Sequence, residues 1–273
     1  MGVGSSYFRE ISFVIAVAVV VLLVPLRCGY ALDSWRPFGD DLELLELAPS
    51  SQTLFPHRLL LIRTTLNRFR VGVIRAKEFG SVANTAHILA ERSHAAVTVN
   101  ANFFDANGEA LGLIVSRGTL FQKVHRGGGT LTGLFLLTGK GPTIMHRNDF
   151  RETVVQEGVQ AGPRLIVNGA PLTAVRASDD SSRRAGVCLD YKGRLILFCS
   201  SSTFGGLTMQ ELQEMLLAVP VGCREALNFD GGGSAQLYVS ADVPGAVKDA
   251  TPLSLPGRDK VPIVLGLFAT EQS

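Results

Sequence analysis

Four short segments concentrate side chains that can carry charge, bind anions or read hydroxyl groups. The first is Asn228-Phe229-Asp230-Gly231-Gly232-Gly233-Ser234. An apolar run, Ala226–Phe229, leads straight into three glycines. Glycines permit positive φ and close backbone approach to a ligand, and successive N–H groups in such a turn can converge on one anion. Asp230 stands at the mouth of the turn, where a carboxylate can serve as a base or hold a sugar. No Lys follows in G-K-[ST] form, so this is not a nucleotide P-loop. The plain alternative is a tight hairpin in which Asp230 caps turn amides.

The second segment is Asn100-Ala101-Asn102-Phe103-Phe104-Asp105, again closing an apolar run. Amides carry both donors and acceptors and suit sugar hydroxyls; an Asn/Asp-rich turn is the competing reading. The third, Gln160-Ala161-Gly162-Pro163-Arg164, bends the chain and presents Arg164. The fourth, Arg183-Arg184-Ala185-Gly186, leads a guanidinium pair into a strand. An Arg fork matches phosphate oxygens in pairs and stays charged, although a single Arg is more often a solvated surface charge. His57, His87, His94, His125 and His146 show no zinc-ligand spacing, and no G-x-S-x-G elbow is present. No cofactor is expected; the only ion these carboxylates suggest is a hard divalent cation at Asp230 or Asp105.

These segments need strands to deliver them. His57–Ile62 and Arg70–Arg75 read as strands, and Ser81–Arg92 as a helix with Val82, Ala86, Leu89 and Ala90 on one face. Leu111–Val115 and Thr119–Gln122 read as a hairpin, and Val159–Val167 as an apolar run ending at the Asn168-Gly169 turn. Ala185–Leu189 and Leu195–Cys199 form a second hairpin, with a two-residue turn at Lys192-Gly193 that sets Cys188 against position 197. Thr208 and Glu211 make a capping box for a helix carrying Leu212, Met215, Leu216 and Val219, and Pro220 stops it. Many short strands with two helices, not regularly alternating, predict one α+β domain with a mostly antiparallel, curved sheet.

The chain of 273 residues, 46% hydrophobic and 18% charged, is long enough for one domain with a real core. A net charge of +2, with no dense basic run, gives no reason to expect a nucleic-acid partner. The start is a targeting segment: Arg9, then an apolar stretch over residues 11–26, then Gly29-Tyr30-Ala31. Residues 1–31 read as a secretory signal peptide, or as a membrane anchor if uncleaved. Residues 32–57 are a lead-in and 58–270 the domain. Export places the chain, periplasmic or extracellular, where disulfides can form. Cys188, Cys199 and Cys223 then remain, and three unpaired buried side chains are the favoured reading.

Taken together, the four segments, in this order, resemble the phosphodiester glycosidase family over about residues 58 to 269. The matching stretches are 99–104, 159–169, 184–190 with Gly193, and 226–235, with a weaker match at Arg258 and Val261–Leu267. The stretch Leu111–Val115 and Gly133-Leu134-Phe135 follow the pattern of the exported bacterial branch. The chain lacks the cysteine-rich extension and membrane tail of the members that act on mannose 6-phosphate tags, so that substrate is not assumed. The resemblance implies a glycosyl phosphodiester or phosphorylated glycan as substrate. By motif it implies a site of Asn100, Asn102, Arg184, Asn228, Asp230 and Gly231–Gly233, with Arg164, Ser234 and Asp105 beside it. It leaves two rivals standing: a phosphodiesterase that cleaves P–O, and a phosphoglycan-binding module without turnover.

Overall fold

The computed structural model describes residues 1, 34–48, 57–151, 153–175 and 180–270; apart from residue 1, all lie in one compact unit, Asp33–Ser273. The targeting segment and its apolar stretch 11–26 lie outside the described residues. Among the described residues no helix is long and apolar enough to cross a membrane.

In chain order the strands are β1 (Arg36–Gly39), β2 (Leu42–Leu47), β3 (Arg58–Thr64), β4 (Phe69–Arg75), β5 (Val97–Asn100), β6 (Ile114–Ser116), β7 (Thr119–Gln122), β8 (Gly133–Thr138) and β9 (Gly141–His146). They continue with β10 (Val155–Ala161), β11 (Arg164–Val167), β12 (Ala170–Pro171), β13 (Ala185–Asp190), β14 (Leu195–Ser201), β15 (Cys223–Asn228), β16 (Leu237–Val239), β17 (Leu253–Leu255) and β18 (Ile263–Ala269). Two helices, α1 (Ala86–Ser93) and α2 (Met209–Leu217), complete the set.

The α+β class and the antiparallel pairing hold, with the strands divided among three open sheets. One has the order β1-β2-β3-β14-β13-β15-β11-β12, the second β7-β6-β10-β8-β9 and the third β17-β16-β5-β18-β4. Strands β1 and β2, inside the segment read as a lead-in, pair onto β3 through β2. The main core draws on all three sheets, with Leu197, Phe135 and Val99 among its fully buried members. A second cluster lies under α2, where Leu212 and Leu216 meet the cluster that holds Ile166, Leu61 and Phe198. Burying such side chains is the main stabilising term, about 1.5–3 kcal/mol for each large aliphatic or aromatic group.

Turn chemistry sets several registers. Arg117-Gly118 and Asn168-Gly169 all have positive φ, the geometry of two-residue hairpins that matches strand twist. The β13–β14 hairpin departs from expectation: Cys188 faces Ile196, not position 197. Its loop is one residue longer than a two-residue turn, with Gly193 at φ 76° closing it while Asp190 accepts from the Lys192 and Arg194 N–H groups.

Three other expectations are corrected. Helix α1 begins at Ala86, not Ser81, because Thr85 is its cap and Asn84 is drawn into a bridge with Val261; Val82 is left exposed. The run Val159–Val167 is two strands in two sheets, broken at Gly162-Pro163. Val219 lies beyond α2 and is exposed, although the capping box itself is present as expected.

The cysteines are corrected too: Cys188 and Cys223 form a disulfide. β14 and α2 separate them along the chain, yet β13 and β15 are neighbours in the sheet, which brings their Cα atoms to 5.9 Å. Cys199 is buried and free on the other face of the same hairpin, in the main core.

Candidate active site

The Asp230 loop is laced to two other chain segments by backbone hydrogen bonds. The Phe229 N–H donates to the Ala185 carbonyl at 2.8 Å, the Asp230 N–H to Ala101 at 3.1 Å and the Gly232 N–H to Arg183 at 2.9 Å. The exit of β15, the exit of β5 and the entry of β13 therefore meet at one place. They meet because β13 and β15 run antiparallel, with Gly186 opposite Asn228. A β-carbon built on Gly231 would stand 2.7 Å from the Arg183 carbonyl oxygen and 4.0 Å from Arg184 Nη1. Arg184 Nη1 thus lies beside the residue that follows Asp230.

Two of the three glycines have specific causes. Gly232 sits at φ 58°, a left-handed conformation that costs other residues free energy. Gly233 packs its α-carbon against the Asp259 carboxylate, where a side chain would collide. Its carbonyl also accepts from the Arg258 and Asp259 N–H groups. The loop is thereby clamped between the 183–184 pair and the 258–259 pair.

Burial pushes the Asp230 carboxyl up to about 6. The Ser234 hydroxyl and the Gly231 N–H act against that shift, and the nearby Asp259 charge adds to it. A carboxyl titrating there can exchange protons near neutral pH. Arg184 is only 8% exposed. Burial lowers its pKa and the charge of Asp180 opposes the drop. Its Nε donates to the Leu207 carbonyl at 2.9 Å and Nη2 to Asp180 at 2.6 Å, which leaves Nη1 as the face beside Gly231.

The remaining motif residues divide into braces and bare groups. Asn100 is fully buried, donates to the Asp230 carbonyl at 2.7 Å and accepts from the Gln236 N–H at 3.0 Å. Asn102 donates to the Leu111 and Leu113 carbonyls, and Asn228 to those of Gly162 and Phe229. The side-chain oxygens of Asn102 and Asn228 are buried without a hydrogen-bond partner, as is Arg164 Nε. Buried polar atoms without a protein partner are uncommon in native proteins, and His57 Nδ1, Arg147 Nε and Arg183 Nε are in the same state.

Not every expectation about these groups is met. Asp105 caps its own exposed turn, accepting from the Asn107 and Glu109 N–H groups at 2.9 Å. No hydrogen bond or ion pair among the described residues links Asp105 to the Asp230 loop. The Gly232 N–H is spent on the Arg183 carbonyl, so an anion here would rest on guanidinium groups more than on a glycine nest. No group of three or more His, Cys, Asp or Glu side chains among the described residues could hold a metal ion.

Sequence reasoning gave one participant no role of its own and missed a second. Arg183 bridges the loop to the 253–258 segment, its Nη2 donating to the Ala235 and Pro256 carbonyls. Its position next to Arg184 was the available signal. Asp259 carried none, since only the folded chain sets its carboxylate against Gly233. A cavity of about 550 Å³ adjoins Arg184 and Arg164, with His146 and Asp180 also on its wall.

The fold has counterparts in known proteins. A zebrafish N-acetylglucosamine-1-phosphodiester alpha-N-acetylglucosaminidase catalytic domain, auto-inhibited by its pro-peptide, has a similar fold: TM-score 0.65, 18% identity, 87% of each chain covered. A hypothetical protein of Synechocystis aligns with TM-score 0.56 at 15% identity, over 84% of this chain and 62% of its own. A protein of Burkholderia pseudomallei aligns with TM-score 0.56 at 13% identity, over 80% of this chain and 75% of its own. At such identities these likenesses speak for the fold alone. No curated protein matches the sequence. The profile of the phosphodiester glycosidase family matches residues 93–268, which include the Asp230 loop, both arginine segments and the clamp at Asp259. This chain belongs to the phosphodiester glycosidase family.

Proposed function

We propose that the protein is an exported hydrolase that cleaves the glycosidic C–O bond of a sugar 1-phosphodiester, releasing free sugar and a phosphomonoester. The observation that carries this reading is that the loop bearing Asp230, a buried acid with a raised pKa, packs its Gly231 beside Arg184 Nη1 in a member of this family. Ordinary glycosidases spend one carboxyl on protonating a poor leaving group. A phosphomonoester departs more easily, and cationic stabilisation can take over much of that work. Arg184 and Arg164 hold the phosphate. The Asp230 carboxylate takes a proton from water as the water oxygen bonds to the anomeric carbon. The C–O pair leaves with the phosphate, which departs as a monoester dianion.

Asn100 acts by holding the Asp230 backbone, while the unpaired oxygens of Asn102 and Asn228 stand ready to accept sugar hydroxyls once the side chains shift. Export is supported by the apolar segment 11–26 and by the Cys188–Cys223 disulfide, a bond that persists in oxidising compartments.

Hydrolysis of a panel of sugar 1-phosphodiesters in oxygen-18 water tests the reaction. Label in the released sugar is expected. Label in the phosphate means P–O cleavage, and binding without turnover means a glycan-binding module; either result overturns the proposal. Repeating the assay with a chelator shows whether a divalent cation takes part.

A further inference from the structure

The turn Gly127-Gly128-Gly129, between β7 and β8, is held by two buried side chains. Gln160, fully buried on β10, closes its stem. Its Nε2 donates to the His125 carbonyl at 2.7 Å and to the Leu131 carbonyl at 2.8 Å, and its Oε1 accepts from the His125 N–H at 2.8 Å. Arg147, also buried, fills its interior. Nη1 donates to the carbonyls of Gly127 and Leu131, and Nη2 to that of Gly128. A guanidinium spent on three loop carbonyls fixes the direction of those peptides.

The direction of the carbonyls decides where the amides point. In a trans peptide the N–H lies opposite the C=O, and neither the 127–128 nor the 128–129 bond is cis. With the Gly127 and Gly128 carbonyls turned onto Arg147, the N–H groups of Gly128 and Gly129 face away from it. Neither N–H makes a hydrogen bond among the described residues. Gly128 sits at φ 67°, the left-handed geometry by which successive N–H groups converge on one anion. Apart from chain neighbours, no atom lies within 4 Å of a β-carbon built on Gly128 or Gly129, so this side of the turn is open.

The turn also stands against the two arginines. A β-carbon on Gly162 would stand 2.1 Å from the Thr130 carbonyl oxygen, and Arg164 follows Gly162 by two residues. Gly129 and Thr130 line the same cavity of about 550 Å³ as Arg164 and Arg184. Arg184 is almost fully buried and keeps Nη1 without a hydrogen bond after Nε and Nη2 are spent on carbonyls.

We infer that Gly127-Gly128-Gly129 is an anion-binding loop organised by Arg147, and that its Gly128 and Gly129 N–H groups take oxygens of a phosphate held by Arg164 and Arg184. The arginines supply the charge, and the amides add directed donors that set the rotation of the phosphate. Arg147 is a positioning residue: its donors are spent on carbonyls, and it acts through the peptides it turns. On the glycosidase reading this phosphate is the substrate's, and the inference rests on that reading for the identity of the ligand.

Inorganic phosphate is titrated into the full chain while backbone amide and guanidinium signals are followed by NMR, with sodium chloride at matched ionic strength as the control. The Gly128 and Gly129 amide signals are expected to move downfield and saturate at the same midpoint as the Arg164 and Arg184 guanidinium signals. Arg147→Lys keeps the charge and loses the planar fork that spans the carbonyls. It is expected to weaken phosphate at least about tenfold, the worth of one charge-assisted hydrogen bond, and to shrink both glycine shifts; a thermal melt checks that it is folded. Glycine amides that stay still while the arginine signals move, or that move equally with chloride, overturn the inference, as does native phosphate affinity in the folded variant. Hydrolysis of sugar 1-phosphodiesters is scored separately. If none is cleaved and the glycine amides respond, the anion loop stands and the glycosidase reading falls; if cleavage occurs and the amides are silent, the inference falls alone.

Discussion

Asp230 carries the heaviest burden at the scale of single residues. Asp230→Asn should lower kcat by about two to four orders of magnitude, the usual worth of a positioned proton acceptor, with circular dichroism unchanged. Because the base must be ionised, kcat/KM of the native protein should rise with pH and level off above about 6. Stability should move the other way. The unfolded carboxyl ionises near 3.8 and the folded one near 6, so between those values the native state holds more protons. Native stability therefore falls as pH rises through that window. Asp230→Asn should be more stable than the native protein at pH 8 by roughly 1–3 kcal/mol and show no such gain at pH 4, as thermal melts at both pH values would reveal. Gly233→Ala probes the clamp. A β-carbon there meets the Asp259 carboxylate, so activity should drop at least about tenfold while the fold survives, because the cost falls on a loop outside the main core. That Asp230 and Arg184 are candidates was legible from residue type and motif. That Asn100 braces the loop from a fully buried position was not, because an amide that reads a sugar and one that holds a backbone look alike in sequence.

Among elements, α2 shows how local and long-range causes combine. Thr208 accepts from the Glu211 N–H at 3.1 Å, and the Glu211 carboxylate returns to the Thr208 N–H at 2.9 Å. The residue before this cap, Leu207, lends its carbonyl to Arg184. Thr208→Ala should cost about 1 kcal/mol in a denaturant titration. It should also reduce turnover measurably, since the cap fixes the stretch that orients the guanidinium. The capping box could be read directly because its partners lie three residues apart. The start of α1 could not: Asn84 continues a helical pattern on paper, but its backbone is drawn into a pairing with Val261, a partner far along the chain. The split of Val159–Val167 between two sheets has the same origin. Periodicity marks both halves as buried and says nothing of which neighbour each will find.

On the scale of the whole molecule, the Cys188–Cys223 disulfide ties β13 to β15, with Cys223 at the end of β15 away from the loop that carries Asp230. Closing a 35-residue separation restricts the unfolded chain by about 4 kcal/mol in the chain-entropy account. Reduction, or Cys188→Ser, should lower stability by about 2–4 kcal/mol. Cys199 should react with a thiol reagent only after unfolding, since burial pushes its thiol up to about 12 and removes access. The amino-acid order alone determined the class of fold, most strand positions, the turns at Arg117-Gly118 and Asn168-Gly169, and the segments that meet at the site. Each of those depends on contacts within a few residues, or on motifs short enough to read directly. Tertiary structure alone decided the three-sheet division, the disulfide, the place of Asp259 against Gly233 and the lining of the cavity beside Arg164. These are pairings between segments distant along the chain, chosen by which buried faces and backbone groups satisfy one another best, and no local pattern encodes that choice.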